Sequence, residues 1–378
     1  MNEESNQSDP KTQGGPAEPI PAADRTEAYT PQTADLNVLD VRPLTSPAEV
    51  VAVDPITPTA ARCVLEARDT ICQILAGFDR RLLVVLGPCS IHDEEAAIEY
   101  GHRIKAISEQ VKDRLFLVMR VYFEKPRTTT GWKGLINDPH LDGSFAIEVG
   151  IQKARKLLLT LNEMGVPGGT EMLDTIMPQY MADLVAWGAI GARTTESQPH
   201  REMASGLSMP VGYKNSTEGN VQVAVDAMKA ARQPHSFLGI DRQGRTAIVR
   251  TRGNRWGHII LRGGRTGPNY DADSVAAASA AMDRSGLPPL IMVDCSHANS
   301  GKSARNQAIV WESVLNQRLE GNRALVGLLV ESNLKEGRQP FTGKRDSLTF
   351  GQSITDECIG WELTEKMLLQ AHAMLSER

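Results

Sequence analysis

The sequence predicts a closed (β/α)8 barrel of the TIM-barrel type, with an N-terminal extension and a β-hairpin inserted before the sixth strand. Eight short apolar runs, separated by about twenty to fifty residues, each lead to one charged or metal-binding side chain. Continuous apolar runs between helix-length segments are typical of parallel strands that are buried on both faces. In such a barrel the carboxyl ends of all strands meet at one rim, where active sites lie.

Each predicted strand is paired with the polar residue that follows it. In order they are 82–86 with Cys89, 115–119 with Arg120, 166–170 with Glu171, 189–192 with Arg193, 210–213 with Lys214, 259–261 with Arg262, 290–293 with His297, and 325–330 with Glu331. The helices that alternate with these strands are predicted over 59–78, 94–111, 145–164, 178–187, 219–232, 272–284, 304–319 and 359–375.

One segment interrupts the alternation of strands and helices. Residues 237–251 read as two short strands that turn at Arg242-Gln243-Gly244, which predicts a β-hairpin. The barrel is therefore expected over 58–378, with the inserted hairpin at about 236–251.

The N-terminal part of the chain divides into a tail and an arm. Residues 1–34 are rich in Pro, Gln, Glu, Gly and Ser, and they hold too little apolar surface to offset the entropy of ordering. This composition predicts a disordered tail. Residues 35–57 contain short apolar stretches interrupted by Pro43, Pro47 and Pro55. They predict an extended arm that contacts a neighbouring subunit.

Composition excludes several classes of protein. The chain has 378 residues, of which 41% are hydrophobic, and a net charge of −5, which does not favour nucleic-acid binding. No apolar stretch approaches the ~20 residues of a membrane span, so no membrane association and a cytoplasmic location are expected. Five cysteines in a chain of this length do not predict a disulfide framework.

Four potential metal ligands are predicted to meet at the rim: Cys89, His297, Glu331 and Asp356. Strands one, seven and eight are near one another in a closed barrel, so residues distant in sequence can converge. A thiolate, an imidazole and two carboxylates suit a divalent Mn, Fe, Co or Zn ion better than calcium. The alternative is a core thiol at Cys89 and a loop histidine at His297. Four such residues at one rim favour the metal.

A second set of rim residues is cationic. Buried cations at strand ends are costly unless an anion pairs with them, and guanidinium groups match phosphate and carboxylate. The set predicts a substrate, or a pair of substrates, with several negative charges. Structural ion pairs are the alternative for one or two members, and Glu171 is expected to orient some of the cations. The members are Arg120, Lys125, Arg127, Arg193, Lys214 and Arg262.

Several long motifs carry a resemblance to one enzyme family. They are GPCSIHD at 87–93, KPRTTTGWKGLINDP at 125–139, GARTTESQ at 191–198, GYKN at 212–215, ILRGG at 260–264, DCSHANSGK at 294–302 and ITDECIGWE at 354–362. From about residue 35 onward the chain resembles the type I 3-deoxy-D-arabino-heptulosonate 7-phosphate (DAHP) synthases. That family condenses phosphoenolpyruvate with erythrose 4-phosphate, using a divalent metal, as the first step of the shikimate pathway.

The resemblance implies roles for individual residues. The four potential ligands named above would bind the metal, and Arg127 and Thr128 would bind the phosphate of erythrose 4-phosphate. The phosphate and carboxylate of phosphoenolpyruvate would be held by Arg120, Lys125, Arg193, Lys214 and Arg262. Glu171 and Ala192 are also predicted among the substrate-binding residues. Lys125 is the candidate acid on the aldehyde side, and Cys89 and His297 are counted with it as catalytic, while the base that activates water stays open.

The resemblance also implies regulation by an aromatic amino acid and a homodimeric or homotetrameric assembly. The effector pocket would be built around the hairpin and closed by the arm of another subunit. Glycine at 239 leaves room for a phenol hydroxyl, which favours tyrosine over phenylalanine. The alternative is that this glycine only shapes the hairpin. The implied pocket residues are Pro178, Gln179, Leu207, Ser208, Phe237 and Gly239.

Two other functions remain open at this point. One is a catalytically silent amino-acid sensor on the same barrel, which would be expected to have lost some cations or ligands. The other is a different metal-dependent sugar-phosphate aldolase. Cys358 lies two residues after Asp356, so we also expect oxidative inactivation through a Cys89–Cys358 disulfide, with simple packing of Cys358 as the alternative.

Overall fold

The computed structural model describes residues 33–127, 131–343 and 345–377. Residues 1–32 of the predicted disordered tail and the predicted phosphate ligand Thr128 lie outside the described residues. The chain divides into two compact units with a boundary after Pro43. In the first unit the described residues carry a local ion pair, in which Arg42 Nε donates to Asp40 Oδ2 at 2.7 Å. The second unit holds the barrel and its additions.

The second unit is a closed barrel of eight parallel strands, so the predicted (β/α)8 fold is confirmed. The strands in chain order are β1 Leu82–Gly87, β2 Leu115–Arg120, β3 Gly168–Glu171, β4 Trp187–Ile190, β5 Val211–Lys214, the hairpin strands β6 Ser236–Ile240 and β7 Thr246–Arg250, then β8 Gly257–Leu261, β9 Ile291–Asp294 and β10 Leu325–Glu331. Around the barrel the order is β1-β10-β9-β8-β5-β4-β3-β2, and β6 pairs antiparallel with β7. The hairpin is therefore separate from the barrel sheet and precedes the sixth barrel strand, β8, as predicted.

The strands are buried on both faces because their side chains alternate between two apolar clusters. Leu83 and Val85 of β1 belong to the cluster inside the barrel, whereas Val84 and Leu86 pack with the surrounding helices. Trp187 of β4 also lies in the inner cluster and is completely buried. Side chains fill the barrel interior, so a ligand is expected to bind at a rim of the barrel.

Ten helices are present among the described residues. They are α1 Pro47–Val53, α2 Pro58–Leu75, α3 Glu94–Val111, α4 Ile147–Glu163, α5 Pro178–Met181, α6 Gln198–Gly206, α7 Gln222–Ala231, α8 Ala272–Arg284, α9 Gln307–Leu319 and α10 Trp361–Ser376. The starts of α3 and α8 follow from caps: Asp93 accepts from Ala96 N, and Asp271 accepts from Ser274 N. Within the described ranges no helix has the length and apolar character needed to cross a membrane.

The prediction of an extended arm is wrong for residues 47–53, which form α1. The helix begins because Ser46 and Glu49 make a reciprocal capping box, with Pro47 at the first turn. Pro47, which seemed to interrupt the arm, thus starts a helix. Ala48 N donates to Arg242 O in the hairpin turn at 2.7 Å, so α1 contacts the hairpin of its own chain.

Two helices between β3 and β5 differ from the prediction. The helix predicted over 178–187 ends at Met181 and continues only as a single 3-10 turn. Arg68 donates to the carbonyl oxygens of Ala182 and Val185 at 2.6 and 2.7 Å, which competes with helical pairing of these groups. The sequence reasoning also missed α6. Pro199 in its first turn and Gly206 at its end are start and stop signals that could have revealed it.

Candidate active site

An open cavity of about 870 Å³ lies at the carboxyl ends of the barrel strands. Most of the predicted site residues line it: Arg120, Lys125, Arg127, Glu171, Ala192, Arg193, Lys214, Arg262, His297, Glu331 and Asp356. Cys89 is fully buried and contacts the cavity through Lys125 and Asp356. Residues from all parts of the barrel thus converge on one cavity.

The turn after β1 positions Cys89 against β2. Gly87 has no side chain, and a Cβ there would lie 2.6 Å from Arg120 O, so only glycine permits this approach. Arg120 then donates from Nε to Pro88 O and from Nη2 to Cys89 O, each at 3.1 Å. The GPC motif and the arginine at the end of β2 therefore fix each other.

Three potential metal ligands form a compact group. The donor atoms of Cys89, Glu331 and Asp356 all lie within 4.8 Å of one another. Cys89 Sγ donates to Asp356 Oδ2 at 3.4 Å, and Lys125 Nζ donates to Cys89 Sγ at 2.9 Å. His297 lies beside the group, with its Nε2 atom 3.9 Å from Glu331 Oε1. A thiol, two carboxylates and an adjacent imidazole fit a divalent transition metal.

The protonation of this group reflects its burial. Burial raises the pKa of Cys89, and the carboxylate of Glu331 raises it further, while Lys125 opposes them. Burial alone would also raise the pKa of Asp356, but the charges of Lys125 and His297 hold it below its ordinary value. The thiol is therefore protonated in the metal-free site, and a metal ion would have to displace that proton.

Two buried ion pairs connect the cations to the potential metal ligands. Arg120 Nη2 donates to Glu331 Oε1 at 2.9 Å, and both side chains are at most 2% exposed. Lys214 Nζ lies 3.3 Å from Asp294 Oδ2, and the same oxygen lies 2.9 Å from His297 Nδ1. Burial would raise the pKa of Asp294, but the charges of His297 and Lys214 hold this pKa well below its ordinary value.

Asp294 was not predicted as a site residue, although it is the first residue of the DCSH segment. An acidic residue as the last member of a fully buried strand was the available signal. Glu171 was expected to orient the cations, yet the described residues include no ion pair with it, and its Oε1 atom is buried without a hydrogen-bond partner. Glu331 and Asp294 are the carboxylates that contact the cations instead.

Tyr122 and Glu124, directly after β2, are two further cavity residues that the sequence reasoning missed. The guanidinium carbon of Arg120 lies 3.5 Å from the centre of the Tyr122 ring, a cation–π contact. Burial, followed by repulsion from Asp174, raises the pKa of Glu124 to about 7. Both residues lie within three positions of Lys125 in the sequence, and this proximity to a predicted site residue could have indicated them.

The outer part of the cavity carries further cations. Arg127 Nε donates to Trp132 O at 3.0 Å, a hydrogen bond within the loop that follows β2. Burial lowers the pKa of the Arg262 guanidinium. Arg265, Lys302 and Arg338 also line the cavity and were not predicted from the sequence. The wall is therefore more cationic than expected, in a protein whose net charge is −5.

The predicted effector residues lie away from this cavity. Phe237 and Gly239 belong to β6, and Pro178 and Gln179 begin α5. Leu207 and Ser208 follow α6, which packs against β6, while α5 packs against α1. Since α1 contacts the hairpin turn, α5 and the hairpin are connected through α1.

Cys89 and Cys358 are both buried free thiols. Burial raises the pKa of Cys358 well above its ordinary value, and its Sγ atom lies 3.8 Å from Asp356 O. Both thiols thus lie next to the Asp356 segment. Their oxidation to a disulfide stays a prediction.

The fold and the cavity define a (β/α)8-barrel enzyme that binds an anionic substrate next to a possible metal site of Cys, Glu and Asp. Residues 54–369 match the sequence model of the DAHP synthetase I family. The chain belongs to this family, and the resemblance found in its motifs is confirmed.

Relatives support the assignment along nearly the whole chain. The Tyr-sensitive phospho-2-dehydro-3-deoxyheptonate aldolase of Escherichia coli is 53% identical over 342 residues, covering 90% of this chain and 96% of the relative. The Phe-sensitive enzyme of the same organism is 53% identical over 348 residues, covering 92% and 99%. A solved structure of the aldolase from Francisella tularensis is 46% identical, with a TM-score of 0.88 over 90% of this chain and 99% of that chain.

Proposed function

We propose that this protein condenses phosphoenolpyruvate with D-erythrose 4-phosphate and water to give DAHP and phosphate, the first step of the shikimate pathway. The observation that carries the proposal is one cavity in which buried cations and potential metal ligands are joined by the Arg120–Glu331 ion pair. Membership of the DAHP synthetase I family supports the same reaction. A silent sensor would be expected to have lost part of this constellation, whereas all its described members line or contact the cavity.

The cations would hold the enol phosphate. Arg120 and Lys214 are buried at the cavity floor, where charge is screened least, and Arg120 Nη1 has no hydrogen-bond partner in the described protein. Arg193 and Arg262 would add contacts from the wall. Holding both substrates in one cavity lowers the entropic cost of bringing the two carbon atoms together.

The aldehyde side would depend on a divalent Mn, Fe, Co or Zn ion held by Cys89, His297, Glu331 and Asp356. When bound, such an ion supplies Lewis-acid polarisation of the aldehyde oxygen. Lys125 is the proposed proton donor to that oxygen, because its half-buried side chain places Nζ beside the ligand group, 2.9 Å from Cys89 Sγ. Arg127 and Thr128 are proposed to bind the phosphate of erythrose 4-phosphate.

The reaction is tested by mixing the protein with phosphoenolpyruvate, erythrose 4-phosphate and Mn²⁺, with and without a chelator, and following the loss of phosphoenolpyruvate. We expect consumption that requires the metal and both substrates, and consumption should nearly cease in Lys214→Met. Lys153→Met is the matched control, since Lys153 forms a peripheral ion pair with Glu94 at 2.7 Å. Wild-type protein that consumes no phosphoenolpyruvate under these conditions contradicts the proposal.

Regulation by an aromatic amino acid, with tyrosine preferred, is proposed for the region around the hairpin. Relatives named Tyr-sensitive and Phe-sensitive are equally identical to this chain, so Gly239 rather than overall identity supports the choice. We also propose a homodimer or homotetramer. Leu238 and Ile248 are cross-strand partners on the hairpin and are 89% and 75% exposed, which suits a subunit contact. Light scattering of the purified protein tests the assembly, and a monomer would contradict it.

A further inference from the structure

The segment after β9 carries a hydrogen-bond relay that ends on His297. Ser296 Oγ donates to Asp294 Oδ1 at 2.6 Å and lies 2.7 Å from His297 Nδ1. A serine hydroxyl has one hydrogen to donate. Because that hydrogen is used on the carboxylate, Ser296 Oγ can only accept from the imidazole. The relay therefore requires the hydrogen of a neutral His297 to be on Nδ1, which leaves Nε2 with a free lone pair.

The backbone holds this relay in place. Ser296 N also donates to Asp294 Oδ1, at 3.0 Å, so the carboxylate folds back over its own turn. His297 has a φ of 58°, a left-handed conformation that a residue with a side chain adopts only when its surroundings enforce it. Lys302 N donates to His297 O at 2.8 Å and closes the loop. The imidazole is thus fixed with Nε2 directed to the side of Glu331.

The same carboxylate serves the anion side of the cavity. Asp294 is completely buried, and its Oδ2 atom contacts both His297 Nδ1 and Lys214 Nζ, at 2.9 and 3.3 Å. One negative charge is therefore shared by a potential metal ligand and a substrate-binding cation.

We infer that Asp294 is a positioning residue for two subsites at once: with Ser296 it fixes the Nδ1–H tautomer of His297, and it couples that ligand to Lys214. This inference rests on the proposed function only for the roles of His297 and Lys214. Partners of metal-binding histidines typically change metal affinity by about 10- to 100-fold when removed.

The first experiment measures metal affinity without turnover. Co²⁺ is titrated into the metal-free protein, and the thiolate-to-cobalt absorbance reports binding. We expect Asp294→Asn to raise the dissociation constant at least about tenfold, with a loss of similar order in Ser296→Ala. Asp183→Asn is the matched control, because it breaks the Arg155–Asp183 ion pair, at 2.7 Å, that no cavity residue joins. Unchanged Co²⁺ affinity in Asp294→Asn and Ser296→Ala overturns the positioning of His297.

The second experiment reads the tautomer directly. Nitrogen-15 spectra of the metal-free protein with labelled histidine contain signals from eight histidines, and comparison with His297→Gln identifies those of His297. We expect a protonated Nδ1 and an unprotonated Nε2 in the wild type, and a mixture in Ser296→Ala. An Nε2–H tautomer in the wild type overturns the inference even where Asp294→Asn does not fold.

The coupling to Lys214 has its own measurement. The Co²⁺ dissociation constant is determined with and without saturating phosphoenolpyruvate, and the ratio is the coupling between the subsites. We expect a ratio that differs from one in the wild type and moves towards one in Asp294→Asn, while the Arg120–Glu331 pair retains the remaining coupling. An unchanged ratio overturns the coupling. Failure of the proposed reaction would appear as absent phosphoenolpyruvate consumption in the wild type, which these binding measurements do not require.

Discussion

The Nη2 atom of Arg120 lies 2.9 Å from Oε1 of Glu331, and neither side chain is more than 2% exposed. The two residues end β2 and β10, which are the two neighbours of β1 in the closed barrel. A proposed substrate cation and a proposed metal ligand therefore share one charge pair across the turn that holds Cys89. This ion pair connects the two proposed subsites, so a change in one subsite is expected to affect the other.

Arg120→Met should destabilise the metal-free protein by roughly 3–5 kcal/mol, because it leaves Glu331 as a buried charge without its partner. Urea denaturation measures the loss. The double variant Arg120→Met/Glu331→Gln should recover part of it. Arg305→Met, which breaks the exposed Arg305–Glu336 pair, is the control and should cause no comparable loss. Equal stability of Arg120→Met and the wild type would contradict this reading of the ion pair.

Metal binding should stabilise the folded protein and depend on Cys89. At a free metal concentration of 100 times the dissociation constant, binding to the native state adds about 2.7 kcal/mol. Thermal unfolding with Mn²⁺ and after chelation measures the gain. Cys89→Ala should abolish it, while Cys63→Ala, a half-buried thiol on α2, should keep it. A gain that survives in Cys89→Ala would exclude this thiol as a ligand.

Glu124 should make the protein less stable as pH rises. Its native pKa of about 7 lies above the ordinary value of 4.5, so the folded state binds more protons between these values. The contribution of Glu124 to the free energy of unfolding is fully present below pH 4.5. It is lost as pH rises through 7, and the total loss is about 3 kcal/mol. Glu124→Gln should remove this loss and unfold at higher urea concentration than the wild type at pH 8. Identical pH profiles of the two proteins would refute the assignment.

Gly239→Ser should shift inhibition from tyrosine towards phenylalanine. A Cβ at this position would lie 2.8 Å from Val249 Cγ2, the tip of a side chain, so the hairpin must adjust slightly. Val249→Ala is therefore combined with it, and alone serves as the control. Inhibition curves for both amino acids are the measurement. An unchanged preference in Gly239→Ser and in the double variant would mean that this glycine only shapes the hairpin.

The sequence determined the architecture and the composition of the site. Buried parallel strands are encoded locally by continuous apolar runs, and each run ends at a residue that barrel closure brings to the same rim. For this reason Cys89, Arg120, Lys214 and Glu331 could be predicted as site residues from the sequence. The starts of α1 and α6 were also encoded locally, by Ser46 with Pro47 and by Pro199, although the sequence reasoning did not use these signals.

The pairing of the rim residues with one another depends on tertiary contacts. Glu171 seemed the natural partner of the cations, but Glu331 and Asp294 contact them instead. After α5, Arg68, which is distant in sequence, likewise donates to carbonyl oxygens that a longer helix would use. The physical reason is the same in each case. Position along a strand places a side chain on the rim, whereas ion pairs, carbonyl contacts and the His297 relay depend on differences of an ångström between elements that meet only when the barrel closes.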